Sequence, residues 1–472
     1  MARHDVVIVG MGSGGMVAAE FAASLGLRVA VVERGKVGGD CLWTGCVPSK
    51  ALLASAKAAH TMRVADRYGL TPVEPRIDTA RVWQRIKAVQ QEVASTDDNP
   101  ERYRSMGVDI RAGTATLTGP HSVTVTSADG STEELETRFV LLCTGSRPAV
   151  PPIEGLAEAG FLTSESLFEL DRGPRSVVII GGGPIAIEMA QGFCRLGISV
   201  TVLQRGATIL PRDEPDLVAT LTGMLRAEGV DLHLEVETSR VTVENGTKTV
   251  HGTEGGAPAR WSAEELLVAV GRQPNISGLG LDEVGVEVGA KGVVVDSRMR
   301  TSVPSVYAAG DLAGRFLFTH SAAYEAVRAI RDMFFPGKGT VTDLVPWCTF
   351  TDPELAHAGL TVAEARAEWG DEIDVWRMDL SHSDRARAEG AAEGAVVIVI
   401  HAKKVVGAHI LAPAAGEMIH ELALAISQDL SLGDIAKLIH VYPTLSTTIG
   451  QLAAEAAFEG AQRLSWLVRK EK

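Results

Sequence analysis

The sequence predicts an α/β protein built around two Rossmann-like βαβ units, and three observations predict it. A strand-like "DVVIVG" runs straight into the glycine turn "GMGSGG". The same pattern returns some way along as "SVVIIGGGPIAIE", and 49 glycines stand against only 5% aromatic residues, the balance of a turn-rich α/β chain rather than a disordered one. At 472 residues the chain exceeds one ordinary core and implies two to four domains.

The first unit spans residues 5 to 33: a strand, the turn, a helix from about Gly14 to Leu25, and the strand "RVAVVE". Gly10, Gly12 and Gly15 fit G-x-G-x-x-G, in which the missing side chains permit a tight turn, close approach of a pyrophosphate and close helix packing. The helix N-terminus then offers free N–H groups to the phosphates. Glu33, closing the second strand, is placed to accept hydrogen bonds from a ribose.

The second unit spans 176 to 205, with Gly181, Gly183 and Ala186 at the three small positions. Here Gln204 stands where a ribose-binding acid would be, and Arg205 follows it, with Arg212 a little further on. An acid would repel a 2′-phosphate, whereas arginine pairs with it through a charge-assisted fork. NADPH is therefore expected over NADH. Two dinucleotide folds imply a resident flavin and a diffusible hydride donor.

Between them lies "VGGDCLWTGCVPSKALL". Five cysteines are too few for a disulfide framework, so in a reducing compartment the close pair Cys41 and Cys46 reads as catalytic, redox-sensing or metal-binding. Cys143, Cys194 and Cys348 read as buried apolar residues. Pro48 suits a first helical turn, which puts Cys46 at a helix N-terminus where the dipole favours a thiolate. A disulfide needs Cα atoms within about 7 Å, so "DCLWTGC" cannot be regular helix, and Gly45 eases its turn. A zinc site wants four ligands, and no suitably spaced Cys/His cluster accompanies the pair. Lys50 sets a cation against the helix dipole and so should have a specific partner.

The charge of −14, without long like-charge blocks, argues against a nucleic-acid partner. The N-terminal segment lacks the pattern of an export signal, and no apolar run approaches the roughly 20 residues of a membrane span. A cytoplasmic protein is expected.

These residues, with "LLCTGSRP", "LLVAVGRQPN", "VYAAGDLAG", "FTDPELAHAGLT" and "HVYPTLSTT", resemble the class I pyridine nucleotide-disulfide oxidoreductases over essentially the whole chain. The resemblance implies an FAD domain over 1–150, an NAD(P)H domain over 151–273, a central domain over 274–343 and an α+β dimerisation domain over 344–472. It implies that Cys46 lies near the flavin, that Cys41 is the exposed sulfur that attacks substrate and that Lys50 pairs with Glu188. It further implies that Gly39, Thr144, Gly145, Gly310 and Asp311, with Gly271 and Arg272, contact cofactor. NADPH would pass hydride to FAD, and reduced FAD would open the disulfide.

The chain departs from the family's His-Pro-Thr-x-x-Glu signature, with Tyr442 at the histidine position and Thr447 at the glutamate position. A phenol of pKa near 10 is a poor proton shuttle at neutral pH. The pattern resembles mercuric reductases, although no further cysteine pair follows in "RLSWLVRKEK". The expected acceptor is a metal ion such as Hg(II), a quinone or a reactive oxidant, with Tyr442 facing the partner subunit's cysteine pair in a homodimer. The alternatives are a dihydrolipoamide dehydrogenase or small-disulfide reductase using His440, and a non-catalytic flavin sensor.

Overall fold

The computed structural model describes residues 4–337 and 339–463. The fold is mixed α/β, and the chain divides into two compact units that interleave along the sequence. One takes residues up to Leu52, Asp78–Gly173 and Leu266–Asp343; the other takes Leu53–Ile77, Pro174–Glu265 and the chain from Leu344 onward.

In the first unit the strands Asp109–Ala112, Val29–Glu33, His4–Val9 and Thr132–Leu142 lie side by side, with Val306–Ala308 parallel to the last. Their near-continuous valine, isoleucine and leucine runs are those of strands buried on both faces. Val6, Val7, Ile8, Val31, Val140 and Leu141 have no measurable exposure. One face is covered by the helices Ser13–Ser24 and Thr319–Phe334, which meet through Ala18, Ala19, Ala22, Ala326 and Ala329. Small residues let these helices approach closely, and a Cβ on Gly14 would lie 3.2 Å from the Ala322 carbonyl. The strand Thr132–Leu142 also pairs antiparallel with Ser122–Thr126, itself paired to Thr114–Gly119.

In the second unit Ser176–Ile180, Ser199–Leu203 and Asp231–His233 pair in parallel, and Pro184–Arg195 is the helix after the second glycine turn. An antiparallel meander, Val236–Glu244, Thr247–Glu254 and Ala257–Ala263, follows. Beyond residue 344 an antiparallel sheet runs in the order Trp347–Thr349, Glu354–Gly359, Lys404–Ala412, Ala395–His401, Ile373–Asp379. The helices Ala415–Ser427 and Thr447–Arg463 share its core through Met418, Ile419, Leu422, Ile449 and Leu452. Among the described residues, no helix is long and apolar enough to cross a membrane.

Candidate active site

The first glycine turn does what each of its small residues allows. Gly10 has φ +96°, and a Cβ there would meet the Cys143 carbonyl at 2.5 Å. At Gly15 a Cβ would fall 1.9 Å from the Gly10 carbonyl, so helix and strand touch through bare backbone. Gly12 caps the helix Ser13–Ser24. Gly39, at φ +56°, passes so near that its Cβ would stand 2.7 Å from Gly12 Cα, which joins the cysteine loop to the phosphate-type turn. Glu33 anchors this junction by accepting from the Met11 N–H at 2.6 Å and the Gly35 N–H at 2.7 Å.

The two cysteines lie on either side of a helix break. Gly39–Trp43 is a short helix that ends at Thr44, and a new helix, Cys46–Arg63, begins at once. The irregularity expected from the spacing thus falls at Thr44 and Gly45, where a Cβ on Gly45 would meet the Asp40 carbonyl at 2.9 Å. Contrary to the expectation that Cys41 is the exposed sulfur, Cys46 is exposed and Cys41 half-buried, because Cys41 sits within the short helix Gly39–Trp43 while Cys46 opens the next helix. The Cys46 sulfur lies 3.4 Å from the Thr319 hydroxyl, at the start of the helix Thr319–Phe334. The Cys41 thiol is held well above its ordinary pKa by its hydrogen bond to Cys46, by burial, and by repulsion from a charged Cys46. Cys46 opens the helix Cys46–Arg63, a position at which the helix dipole favours a thiolate. Lys50 is the fifth residue of the same helix.

A polar cluster completes the first unit's cradle. Thr144 Oγ1 donates to the Asn275 carbonyl at 3.0 Å, and Gly145 takes φ +65°. The Gly310 N–H donates to buried Glu325 at 2.8 Å, which fixes the turn that carries Asp311. Burial raises the Asp311 pKa, against the Ser146 hydroxyl and Arg272, which lower it. Arg272 donates through Nε to Ser146 Oγ at 2.6 Å and also pairs with Asp40 and Asp311. Gly271, at φ +133°, sets up this strand, and its carbonyl accepts from Ala149 at 2.9 Å. Arg272 therefore belongs to the group around Asp311. Asp40, Ser146 and Asn275 lie inside the quoted motifs but, like Thr319 and Glu325, are not singled out by the sequence, because each works through a partner distant in the chain.

In the second unit Gly181 takes φ +126°, Gly183 caps the helix Pro184–Arg195, and Ala186 is fully buried against the strands. Gln204 lies over the turn: its Nε2 donates to the Thr208 carbonyl at 2.9 Å, and a Cβ on Gly182 would meet its side chain at 2.8 Å. Arg205 is exposed. Arg212 is engaged elsewhere, with its guanidinium 4.6 Å from the Trp347 ring centroid. Glu188, on the helix Pro184–Arg195, is buried and accepts from the Phe350 N–H at 3.0 Å.

Near the C-terminus Tyr442 is 64% exposed and its hydroxyl donates to Asp384 Oδ2 at 2.8 Å. His440 turns inward. Its Nε2 lies 3.0 Å from Glu421, and its ring packs on Gly450 so closely that a Cβ there would be 2.6 Å from Nδ1. Thr447 Oγ1 donates to the Val441 carbonyl at 3.2 Å. Residues 464–472, in the segment read above for a further cysteine pair, lie outside the described residues. Of the remaining cysteines, Cys143 is buried as expected and its thiol is pushed up to about 12 by burial. Cys194 and Cys348 are instead half-buried, and Cys194 donates to the Glu228 carbonyl at 3.2 Å.

Comparisons with known proteins follow this geometry. The family described as pyridine nucleotide-disulphide oxidoreductase matches residues 4–326, and its dimerisation domain matches 345–453. The chain is similar to a dihydrolipoyl dehydrogenase of Chlorobaculum tepidum, 34% identical over 98% of each chain. It is similar to the same degree, 34% over 98% of each, to a mercuric reductase of Streptomyces lividans. Among solved structures it resembles the HOCl-induced flavoprotein disulfide reductase RclA of Escherichia coli in its Cu(II) complex, with TM-score 0.86 and 27% identity over 96% of this chain and 100% of that one.

Proposed function

Because this chain belongs to the pyridine nucleotide-disulphide oxidoreductases, a family of FAD-dependent enzymes driven by NAD(P)H, we propose that it is an NADPH-driven reductase of electrophilic acceptors. In this reading the Cys41–Cys46 pair hands electrons to a metal ion such as Hg(II), a quinone or a reactive oxidant. Lipoamide and other small disulfides are poor substrates. The observation that carries the reading is Tyr442 at the histidine position, with the nearby His440 committed to Glu421. Identity does not separate the two branches, because the lipoamide-type and mercuric relatives match equally well.

The residues fit the cofactor. The close crossing of Gly12 and Gly39 leaves bare backbone where a pyrophosphate would lie, and the N-terminus of Ser13–Ser24 points free N–H groups there. Glu33 stands at the strand end for a ribose, and Asp311 with Arg272 forms a polar wall. When bound, FAD supplies the relay by which the two electrons of a hydride reach a disulfide. Lys50, in the helix that Cys46 opens, is proposed to tune it electrostatically.

At the second turn Gln204 offers no charge to repel a 2′-phosphate, and exposed Arg205 is free to reach one. At the thiols, a dithiol that reduces a divalent metal ion becomes a disulfide, the metal gains two electrons, and two protons leave to water. Reducing a disulfide instead requires those protons to be carried to the departing sulfurs, the step a histidine normally performs. Thiolate sulfurs are also the natural ligands of a soft metal.

The acceptor site is proposed to form across a homodimer. The chain carries the family's dimerisation domain, and Leu438, Ile439 and Val441 beside Tyr442 are 56%, 94% and 77% exposed. So dense an exposed apolar stretch marks an interaction surface.

The test is steady-state turnover with NADPH against Hg(II), a quinone, lipoamide and glutathione disulfide, for the wild type and Cys41→Ser. Hg(II) turnover should exceed lipoamide turnover and fall at least about a hundredfold in the variant, the scale of losing a reacting group. Robust lipoamide or glutathione turnover would overturn the reading.

A further inference from the structure

The hydroxyl of Tyr442 has one proton and two lone pairs. Its proton is committed to Asp384 Oδ2 at 2.8 Å, so the oxygen keeps only acceptor capacity on its remaining side. The hydrogen bond to Asp384 also raises the phenol's pKa, which moves the proton still further from transfer. Asp384 is itself fixed. It opens the short helix Asp384–Ala388, whose Ser383 cap accepts from the Ala386 N–H, and its other oxygen lies 3.8 Å from Arg387.

The segment that presents Tyr442 is fixed as well, by groups that could otherwise donate protons. Thr444 Oγ1 donates to the Val441 carbonyl at 2.8 Å, and Thr447 Oγ1 bonds the same carbonyl at 3.2 Å. His440 spends Nε2 on Glu421. Thr444, Thr447 and His440 thus spend their polar groups on the protein, and the Tyr442 oxygen keeps its lone pairs.

We infer that Asp384 is a specificity-determining residue: by turning the Tyr442 proton toward itself it leaves the phenol oxygen with only acceptor lone pairs for the acceptor site, which selects metal cations over disulfides. The inference rests on the proposed reading, in which Tyr442 faces the cysteine pair of a second copy of this chain. A soft divalent cation gains an extra oxygen contact there while the dithiol reduces it, giving the enzyme disulfide, the zero-valent metal and two protons to water. A disulfide substrate gains nothing, because its departing thiolate needs a donor and meets an acceptor instead.

The experiment uses the FAD-loaded homodimer with NADPH and compares wild type, Asp384→Ala, Tyr442→Phe and the double variant. The readout is the ratio of kcat/KM for Hg(II) to kcat/KM for lipoamide, which general loss of folded enzyme does not move. Asp384→Ala should lower that ratio about tenfold, equivalent to about 1.4 kcal/mol, and Tyr442→Phe should do the same. The double variant should add nothing further, as for two residues acting through one contact. As a second readout, alkaline difference spectra against Tyr442→Phe should show the Tyr442 phenol ionising at lower pH once Asp384 is removed. A wild type that prefers Hg(II), with an unchanged ratio in Asp384→Ala, overturns this inference and leaves the function standing. An Asp384→Ala effect that persists undiminished in the Tyr442→Phe background overturns it equally. A wild type that prefers lipoamide overturns both.

Discussion

Arg205 carries the nucleotide preference proposed here, and its side chain is exposed beside a turn already filled by Gln204. Charge-assisted arginine–phosphate contacts contribute on the order of 1.5–3 kcal/mol. Arg205→Ala should therefore raise KM for NADPH roughly tenfold to a hundredfold and leave KM for NADH nearly unchanged, as measured by initial rates with each donor. Equal effects on both donors would show that Arg205 does not read the 2′-phosphate. Arg212, adjacent in the same reading, is not available for that task, since it lies on Trp347. Its position in the sequence looked equivalent; the aromatic partner that captures it stands far along the chain. The glycines and cysteines were legible because their constraints are local. Asp384 was not, because nothing near residue 384 announces that the Tyr442 hydroxyl will reach it.

At the scale of elements, the crossing of the cysteine loop over the first turn makes Gly39 a sharp test. Gly39→Ala must accommodate a left-handed φ of +56° and a Cβ 2.7 Å from Gly12 Cα, a backbone strain of about 1 kcal/mol before any overlap is counted. The purified variant should hold clearly less flavin per protein by absorbance, and full flavin content would contradict the proposed cradle. The break at Thr44–Gly45 was anticipated by the geometry a disulfide demands, and it falls within that segment.

A second element was not legible at all. In the antiparallel sheet His357 and His409 face each other across neighbouring strands, both buried, each bonded through Nε2 to a backbone carbonyl. Trp347 stacks on His357 at 3.6 Å and donates to buried Asp213. Burial lowers the two imidazoles to about 3 and about 4. These folded values lie below the unfolded value of about 6.5. The unfolded chain thus binds more protons, and stability is lost as pH falls below about 6.5 until the folded values are reached. Asp213, raised to about 6 by burial, works the other way between about pH 4 and 6. His357→Gln should remove about 2 kcal/mol of the stability lost between pH 7 and 5, read from denaturant titrations at both pH values. An unchanged acid slope would mean that His357 is not buried neutral.

For the whole molecule, the two βαβ units were readable in the sequence, because strand periodicity and a glycine turn recur in each, and the family and its C-terminal α+β dimerisation domain followed from the resemblance; the antiparallel order of that domain's sheet was not readable. The interleaving of the two compact units was not readable, since it depends on which distant segments pack together. The proposed acceptor chemistry turns on a single replacement, Tyr442 for histidine, and on the capture of His440 by Glu421. Its most direct measurement is reoxidation of the reduced enzyme in a single turnover. Homodimer reduced with one equivalent of NADPH per active site is mixed rapidly with Hg(II) or with lipoamide, and the elemental mercury or the dihydrolipoamide formed is measured over time. The account predicts that Hg(II) is reduced to elemental mercury within the turnover time while no dihydrolipoamide forms. Equally fast formation of dihydrolipoamide would contradict it.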